Sequence, residues 1–333
     1  MADEWRRPSE RIRLTAVAII LGGSAFAGCS TSRSNARADI EKLSARNGSS
    51  ATVRPWSWED EIVAWTTQTF DKVIYYKPRD GEMIGPERTY APLIIEEFMP
   101  QRHDGRQRIG QIVKKQDSDD PRAYQLNTGA SVIYTASSRV TISEVDCEQI
   151  LYAWWYPIEQ LSADEWYGCE AGVSITVGAD GFPLVWESIS NVGGRVLFVS
   201  KSLEDAARGK FGPPLPGRRF SIERAREETP KVVVAGVIED GPVPMGPYVY
   251  LGLEAYPTIT TILCRCSPSQ FNEVSETVEY DLRPLNELGI LHAPPLNPRV
   301  RSRFENIWGR EVWLFLHPEL RDPLDRILRW PKM

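Results

Sequence analysis

Between Ser131 and Ser200 the chain is a succession of short runs rich in β-branched and aromatic residues. They are Ser131–Ala136 (SVIYTA), Arg139–Ser143 (RVTIS), Gln149–Tyr156 (QILYAWWY), Gly172–Val177 (GVSITV), Pro183–Ser188 (PLVWES) and Arg195–Ser200 (RVLFVS). Gly, Asp, Asn or Pro separate them, and Ala179-Asp180-Gly181-Phe182 reads as a hairpin turn. This is the punctuation of a sheet, because branched and aromatic side chains suit a pleated, half-buried surface and turn residues interrupt it. Further runs at Lys72–Lys77, Tyr248–Leu251, Thr258–Cys266 and Glu311–Leu316 extend the pattern, and Pro92–Met99 fits a strand or a buried helix. Lys231–Ile238 (KVVVAGVI) is apolar on both faces and is predicted as a central strand. Ile109, Gln111 and Val113 alternate with smaller or polar neighbours, as in a hairpin or edge strand.

Helical signals are fewer. Ser57 precedes first-turn acids, with Trp58, Ile62 and Trp65 on one face. Ser202–Lys210 is predicted as a helix capped by Ser202, and Pro318–Trp330 as a terminal helix carrying Pro323. Regular βαβ alternation is missing from this order. The expected fold class is therefore α+β, a mainly antiparallel β-rich globular body with about three helices. With 42% hydrophobic and 25% charged residues, the composition excludes a wholly disordered chain, a collagen-like repeat and a polytopic membrane protein. A net charge of −6 supplies no general attraction to nucleic acid.

The first 29 residues have a different character. Arg6, Arg7, Arg11 and Arg13 precede the apolar run Leu14–Leu21, and small residues follow up to Cys29. A basic stretch, a short apolar stretch and a small-residue cleavage site make up a secretory signal. Leu14 to Gly28 is only 15 residues, short of the ~20 that a membrane-spanning helix needs. The tetrapeptide Phe26-Ala27-Gly28-Cys29 resembles the lipobox of bacterial lipoproteins, with Phe26 standing where Leu is usual. That resemblance implies cleavage before Cys29 and attachment of lipid to its sulfur. Membrane anchorage through an N-terminal lipid and exposure to the periplasm or exterior would follow. Several acyl chains form a durable anchor where one is marginal.

Residues 30–55 are rich in Ser, Ala and Arg and poor in large apolar side chains, the composition of a tether that cannot bury enough surface to order itself. The expected organisation is a signal peptide over 1–28, a lipidated Cys29 with its tether over 29–55, and a β-rich body over 56–333. Phe211–Arg219 (FGPPLPGRR) is the strongest breaker in the chain and marks a possible subdomain break near 209–219.

Candidates for chemistry begin with the cysteines. An exported body with Cys147, Cys169, Cys264 and Cys266 meets an oxidising compartment, so disulfides are the default. A Cys264–Cys266 bridge would close a very small ring, whereas the other pairings tie the 147–169 region to the 264–266 strand. A four-thiolate zinc site is disfavoured, since C-x-C is not the usual knuckle spacing. A redox-active C-x-C is the third option, because residues two apart on a strand share a face. Cys266, Ser267 and His292 form a catalytic set only if the fold brings them together. His103 and His317 lack metal-ligand spacing, and acids such as Glu144, Asp146 and Glu148 read as a solvated face. In Tyr152-Ala153-Trp154-Trp155-Tyr156, one strand face must be core. The other, with Trp154 or Trp155, is a candidate platform for a glycan or peptide or a second packed layer. No motif calls for a cofactor, a metal or a nucleotide.

The expected function is a lipid-anchored cell-envelope protein with a non-catalytic binding or structural role and a protein or glycan partner. The alternatives are an envelope hydrolase or thiol enzyme using the Cys264–His292 region, and a glycan- or peptidoglycan-binding module using the Tyr152–Tyr156 aromatics.

Overall fold

The computed structural model describes residues 66, 68–81, 85–100, 108–114, 124–157, 169–189, 194–229, 231–252, 258–288, 310–317 and 320–331. The chain divides into two units, Met1–Ser49 and Ser50–Met333, and every described residue belongs to the second. Cys29, the tether, the helix predicted from Ser57, His103 and His292 lie outside the described residues.

The body is built on one mixed eleven-stranded sheet. In chain order its strands are β1 (Phe70–Pro78), β2 (Leu93–Glu97), β5 (Val132–Ile142), β6 (Val145–Tyr156), β7 (Cys169–Val177), β8 (Pro183–Ile189), β9 (Arg195–Ser200), β10 (Val232–Ile238), β11 (Pro247–Gly252), β12 (Thr258–Cys264) and β13 (Phe271–Pro284). The spatial order is β10-β9-β8-β7-β6-β5-β13-β1-β2-β11-β12. A separate two-stranded hairpin pairs β3 (Gln111–Lys114) with β4 (Tyr124–Asn127). The helices are short: α1 (Pro86–Thr89), α2 (Lys201–Phe211), α3 (Arg310–Leu316) and α4 (Leu324–Ile327). No described helix is long and apolar enough to cross a membrane.

Strands β5 to β9 form an antiparallel meander, as their closely spaced turn signals require. The sheet is mixed, however, with six antiparallel pairings and four parallel ones. Pairings β9–β10, β2–β11, β13–β1 and β13–β5 are parallel. Parallel neighbours need a crossover, and α2 supplies it between β9 and β10. The sheet curls into a nearly closed barrel, so that its terminal strands β10 and β12 approach one another. Val232–Ile238 is thus a terminal strand rather than a central one. Its apolar character on both faces reflects the curled interior on one side and α2 on the other.

Tyr76, Ile94, Tyr152, Trp154, Tyr156, Val173, Trp186, Phe198, Val249 and Tyr280 fill the concave interior. The outer face is covered in patches. The β3–β4 hairpin and α3 lie over β5 and β6, packing Ile112, Val312 and Phe315 against Trp155. Helix α2 and the C-terminal segment cover β8 to β10 through Leu203, Ala207, Leu324, Ile327 and Trp330.

Three local expectations are corrected. Glu311–Leu316, predicted as a strand, is helix α3, and its Val312 and Phe315 point at one patch of sheet. Within Pro318–Trp330, predicted as a helix, the described residues carry a short α-helical turn over Leu324–Ile327. Beyond it Leu328 bridges Glu223, and Arg329 N donates to Ile222 O at 2.7 Å, which pulls the chain extended. Helix α2 is capped by Ser200, whose Oγ accepts from Leu203 N at 3.2 Å. Ser202 instead gives its N–H to Asp240 Oδ2 at 2.9 Å and its hydroxyl to Asp240 Oδ1 at 3.1 Å. Gly212 ends the helix at φ 79°, a backbone conformation that glycine adopts without steric penalty.

Buried charge fixes the C-terminal cover. Glu187 on β8 is 3% exposed, and Arg195 holds it bidentately at 2.6 and 2.9 Å. Arg321 donates to the same carboxylate from the C-terminal segment. Burial alone raises a carboxyl pKa, but the two guanidiniums outweigh it and hold Glu187 below its ordinary range.

Candidate functional site

One end of the curled sheet gathers three connecting segments. Here β12 ends at Cys264, β10 runs into residues 239–246, and the β7–β8 hairpin turns at 178–182. Residues 85–92 are tied down at the same end by tyrosine hydroxyls from the sheet and by Tyr90. Tyr152 donates to Glu87 O at 2.8 Å, Tyr280 to Pro92 O at 2.5 Å, and Tyr90 to Gly181 O. Desolvation pushes all three phenols upward in pKa, so each remains a donor across the neutral range.

Gly246 locks the 239–246 loop against this segment. Its N–H donates to Thr89 O at 3.1 Å, and a Cβ at this position would stand 2.3 Å from Ala91 O and 2.4 Å from Tyr90 O. Only a residue without a side chain allows so close an approach. Lys201 pairs with Glu239 at 3.2 Å, and Asp240 binds Ser202, so the loop is also moored to the start of α2.

The Cys264-Arg265-Cys266 turn sits beside this loop. Cys264 is bonded to Cys266, with Cα atoms 5.1 Å apart. Of the pairings that the sequence left open, this is the one that closes a very small ring. Cys264 is 5% exposed, while Cys266 lies on the surface. Cys266 N donates to Cys264 Sγ at 3.1 Å, and Ser267 N donates to Cys264 O at 2.9 Å. Arg265 donates to Ala91 O, and its burial draws the guanidinium pKa down. In the chain-entropy model a bridge closing so small a loop contributes about 1.5 kcal/mol, against nearly 5 kcal/mol for a loop of about 100 residues. Beside the bridge is a small, mostly apolar recess of about 20 Å³, lined by Phe182, Trp186, Met245 and Cys264 and also by Glu239 and Asp240. That is room for about one water. At its mouth Val243 is 56% exposed.

The remaining candidates disperse. Trp154 and Trp155 are both 0% exposed. Trp154 points into the barrel, and Trp155 packs edge-on against Tyr134, with ring centres 5.6 Å apart. Both strand faces are packed layers, and neither indole is a platform for a ligand. Cys147 is a buried free thiol on the outer face, its pKa raised by desolvation and then by Asp146 and Asp180. The Cys169 side chain lies outside the described residues. Ser267 lies in the turn after Cys266, and its proposed partner His292 is outside the described residues. Among the described residues no three His, Cys, Asp or Glu side chains gather as a metal site.

Sequence reasoning missed Tyr90, Arg265, Gly246 and Tyr280. Arg265 between two cysteines and the Gly246-Pro247 pair were the only local signals. Compared with protein-family models, with curated proteins and with solved structures, the chain matches none.

Proposed function

We propose that the chain is a lipid-anchored cell-envelope protein, facing the periplasm or exterior, whose β-rich body has a non-catalytic binding role. The observation that carries this reading is the Cys264–Cys266 bridge, with Cys266 an exposed residue. Such a bridge persists in an oxidising compartment and is reduced in a cytosol rich in glutathione. It supports the export reading of residues 1–29 independently of their sequence pattern. Anchorage through Cys29 would hold the body near a membrane on the tether of residues 30–55. The binding surface is assigned to the rim around Val243, Phe182 and Met245, where loops stand on a rigid sheet. The partner is an envelope protein or glycan reached from that anchor.

The test is intact-mass analysis of the chain from its native membrane, with and without reductant. The expected species lacks residues 1–28, carries acyl mass on Cys29 and gains hydrogen at the body cysteines on reduction. Cys29→Ala is expected to release the chain from the membrane fraction. A chain that keeps Met1 or Ala2 and is found in the cytosol refutes the proposal. A thiol enzyme is the second reading, favoured by the exposed residue Cys266.

A further inference from the structure

We infer that Cys264–Cys266 is an exchange-active disulfide, one that oxidises a dithiol on a protein or peptide, with Cys266 as the attacked sulfur and Cys264 as the leaving thiolate. This goes beyond the binding role proposed above, and its test does not depend on where the chain resides.

Four observations converge on it. First, the bridged residues are two apart, so the bond closes a loop too short to restrict the unfolded chain much, and its contribution to stability is small. Second, the sulfurs are unequal. Cys266 is on the surface, and Cys264 is 5% exposed at the end of a strand. An incoming thiolate meets the exposed residue first, and attack there makes the Cys264 sulfur the leaving group. Third, that buried sulfur already accepts the Cys266 N–H at 3.1 Å. A hydrogen bond to sulfur stabilises a thiolate more than a bonded disulfide sulfur, and a stabilised leaving thiolate departs faster. Fourth, the apolar recess lined by Trp186, Met245 and Cys264 opens beside the bridge. Its volume admits only a group of about the size of a water or a methyl beside a substrate cysteine.

The chemistry balances with the dithiol as reductant. A thiolate of the dithiol attacks Cys266 Sγ; the Cys264–Cys266 bond breaks, a mixed disulfide to Cys266 forms, and Cys264 leaves as a thiolate that takes up a proton. The second thiol of the substrate then loses its proton and attacks the substrate sulfur of the mixed disulfide. The substrate leaves as a disulfide, oxidised by two electrons, and Cys264 and Cys266 remain as two thiols. The inference covers this single round.

The experiment uses the purified full-length chain in its oxidised form. A reduced peptide carrying two cysteines is added, and both partners are followed by mass. Exchange predicts one peptide oxidised for each bridge lost, and loss of this reaction in both Cys264→Ala and Cys266→Ala. Oxidised glutathione then probes the two variants, with adducts located by peptide mapping. Cys266 in Cys264→Ala is expected to form its adduct at least about tenfold faster than Cys264 in Cys266→Ala, as follows from exposure. Adducts forming at equal rates, or peptide oxidation unchanged by either variant, would overturn the inference. So would a wild-type bridge that stays oxidised in excess reduced glutathione while the fold melts normally. That last measurement needs no variant, so it decides the matter even if the alanine chains fail to fold.

Discussion

Replacing Glu187 by Gln tests whether buried charge holds the C-terminal cover onto the sheet. The substitution keeps the volume and removes the charge. In the wild type one carboxylate, 3% exposed, takes two hydrogen bonds from Arg195 and one from Arg321. A glutamine has one acceptor oxygen and turns its amide toward a guanidinium. Both arginine side chains are largely buried, at 16% and 9% exposed, and they lose the countercharge that offset their desolvation. Removing one member of such a buried group costs about 3–5 kcal/mol. The assay is urea denaturation at neutral pH and at a series of acid pH values.

The direction with pH follows from the depressed folded-state pKa of Glu187. Its stabilising contribution is full above the unfolded-state value of about 4.3 and is lost as pH falls through the lower folded-state value. The gap between wild type and Glu187→Gln should therefore be widest near neutrality and close in strong acid, where both side chains are uncharged. A variant within about 0.5 kcal/mol of wild type at neutral pH, the range of ordinary surface changes, refutes the reasoning. A gap that stays constant into acid does so as well.

Three further outcomes are expected. Trp155→Ala empties a fully buried site between the sheet and its cover and should cost about 3–5 kcal/mol by denaturant titration, with faster hydrogen exchange in the β3–β4 hairpin. Ser200→Ala removes the cap of α2 and should cost about 1 kcal/mol by denaturant titration. Cys147, buried and with its thiol pKa raised, should resist alkylation in the folded chain at neutral pH and react fully in denaturant; rapid labelling of the native protein would contradict its placement.

The meander was legible because each of its strands carries its own signal. Gln149–Tyr156 alternates between two buried layers, and the turn at residues 178–182 announces the hairpin between β7 and β8. Strand β13 carried no such signal. Its sequence, FNEVSETVEYDLRP, is half exposed and carries four acids, with Tyr280 its one fully buried residue. It is a strand because β1 lies parallel to it with cations in register: Lys72 meets Glu273 at 3.1 Å, and Lys77 meets Glu279 at 3.1 Å. Exposed pairs of this kind contribute little each, and the backbone ladder they accompany cannot be read from a local pattern. Helix α3 failed for a related reason, since six apolar-rich residues fit a strand or a buried helix equally well. The candidate site was half legible. C-R-C was visible as a motif, but its partners Ala91, Gly246 and Trp186 are distant in sequence.

By itself the sequence determined that the body is mostly sheet, since alternation and turn residues act within a few positions. It also determined the lipobox-like pattern that ends at Cys29. Only the tertiary structure decided which strands run parallel, that Cys264 bonds to its near neighbour, and that Trp154 and Trp155 are both enclosed. Those outcomes depend on which distant segments meet, and burial and pairing energies between remote residues leave no mark on either segment alone.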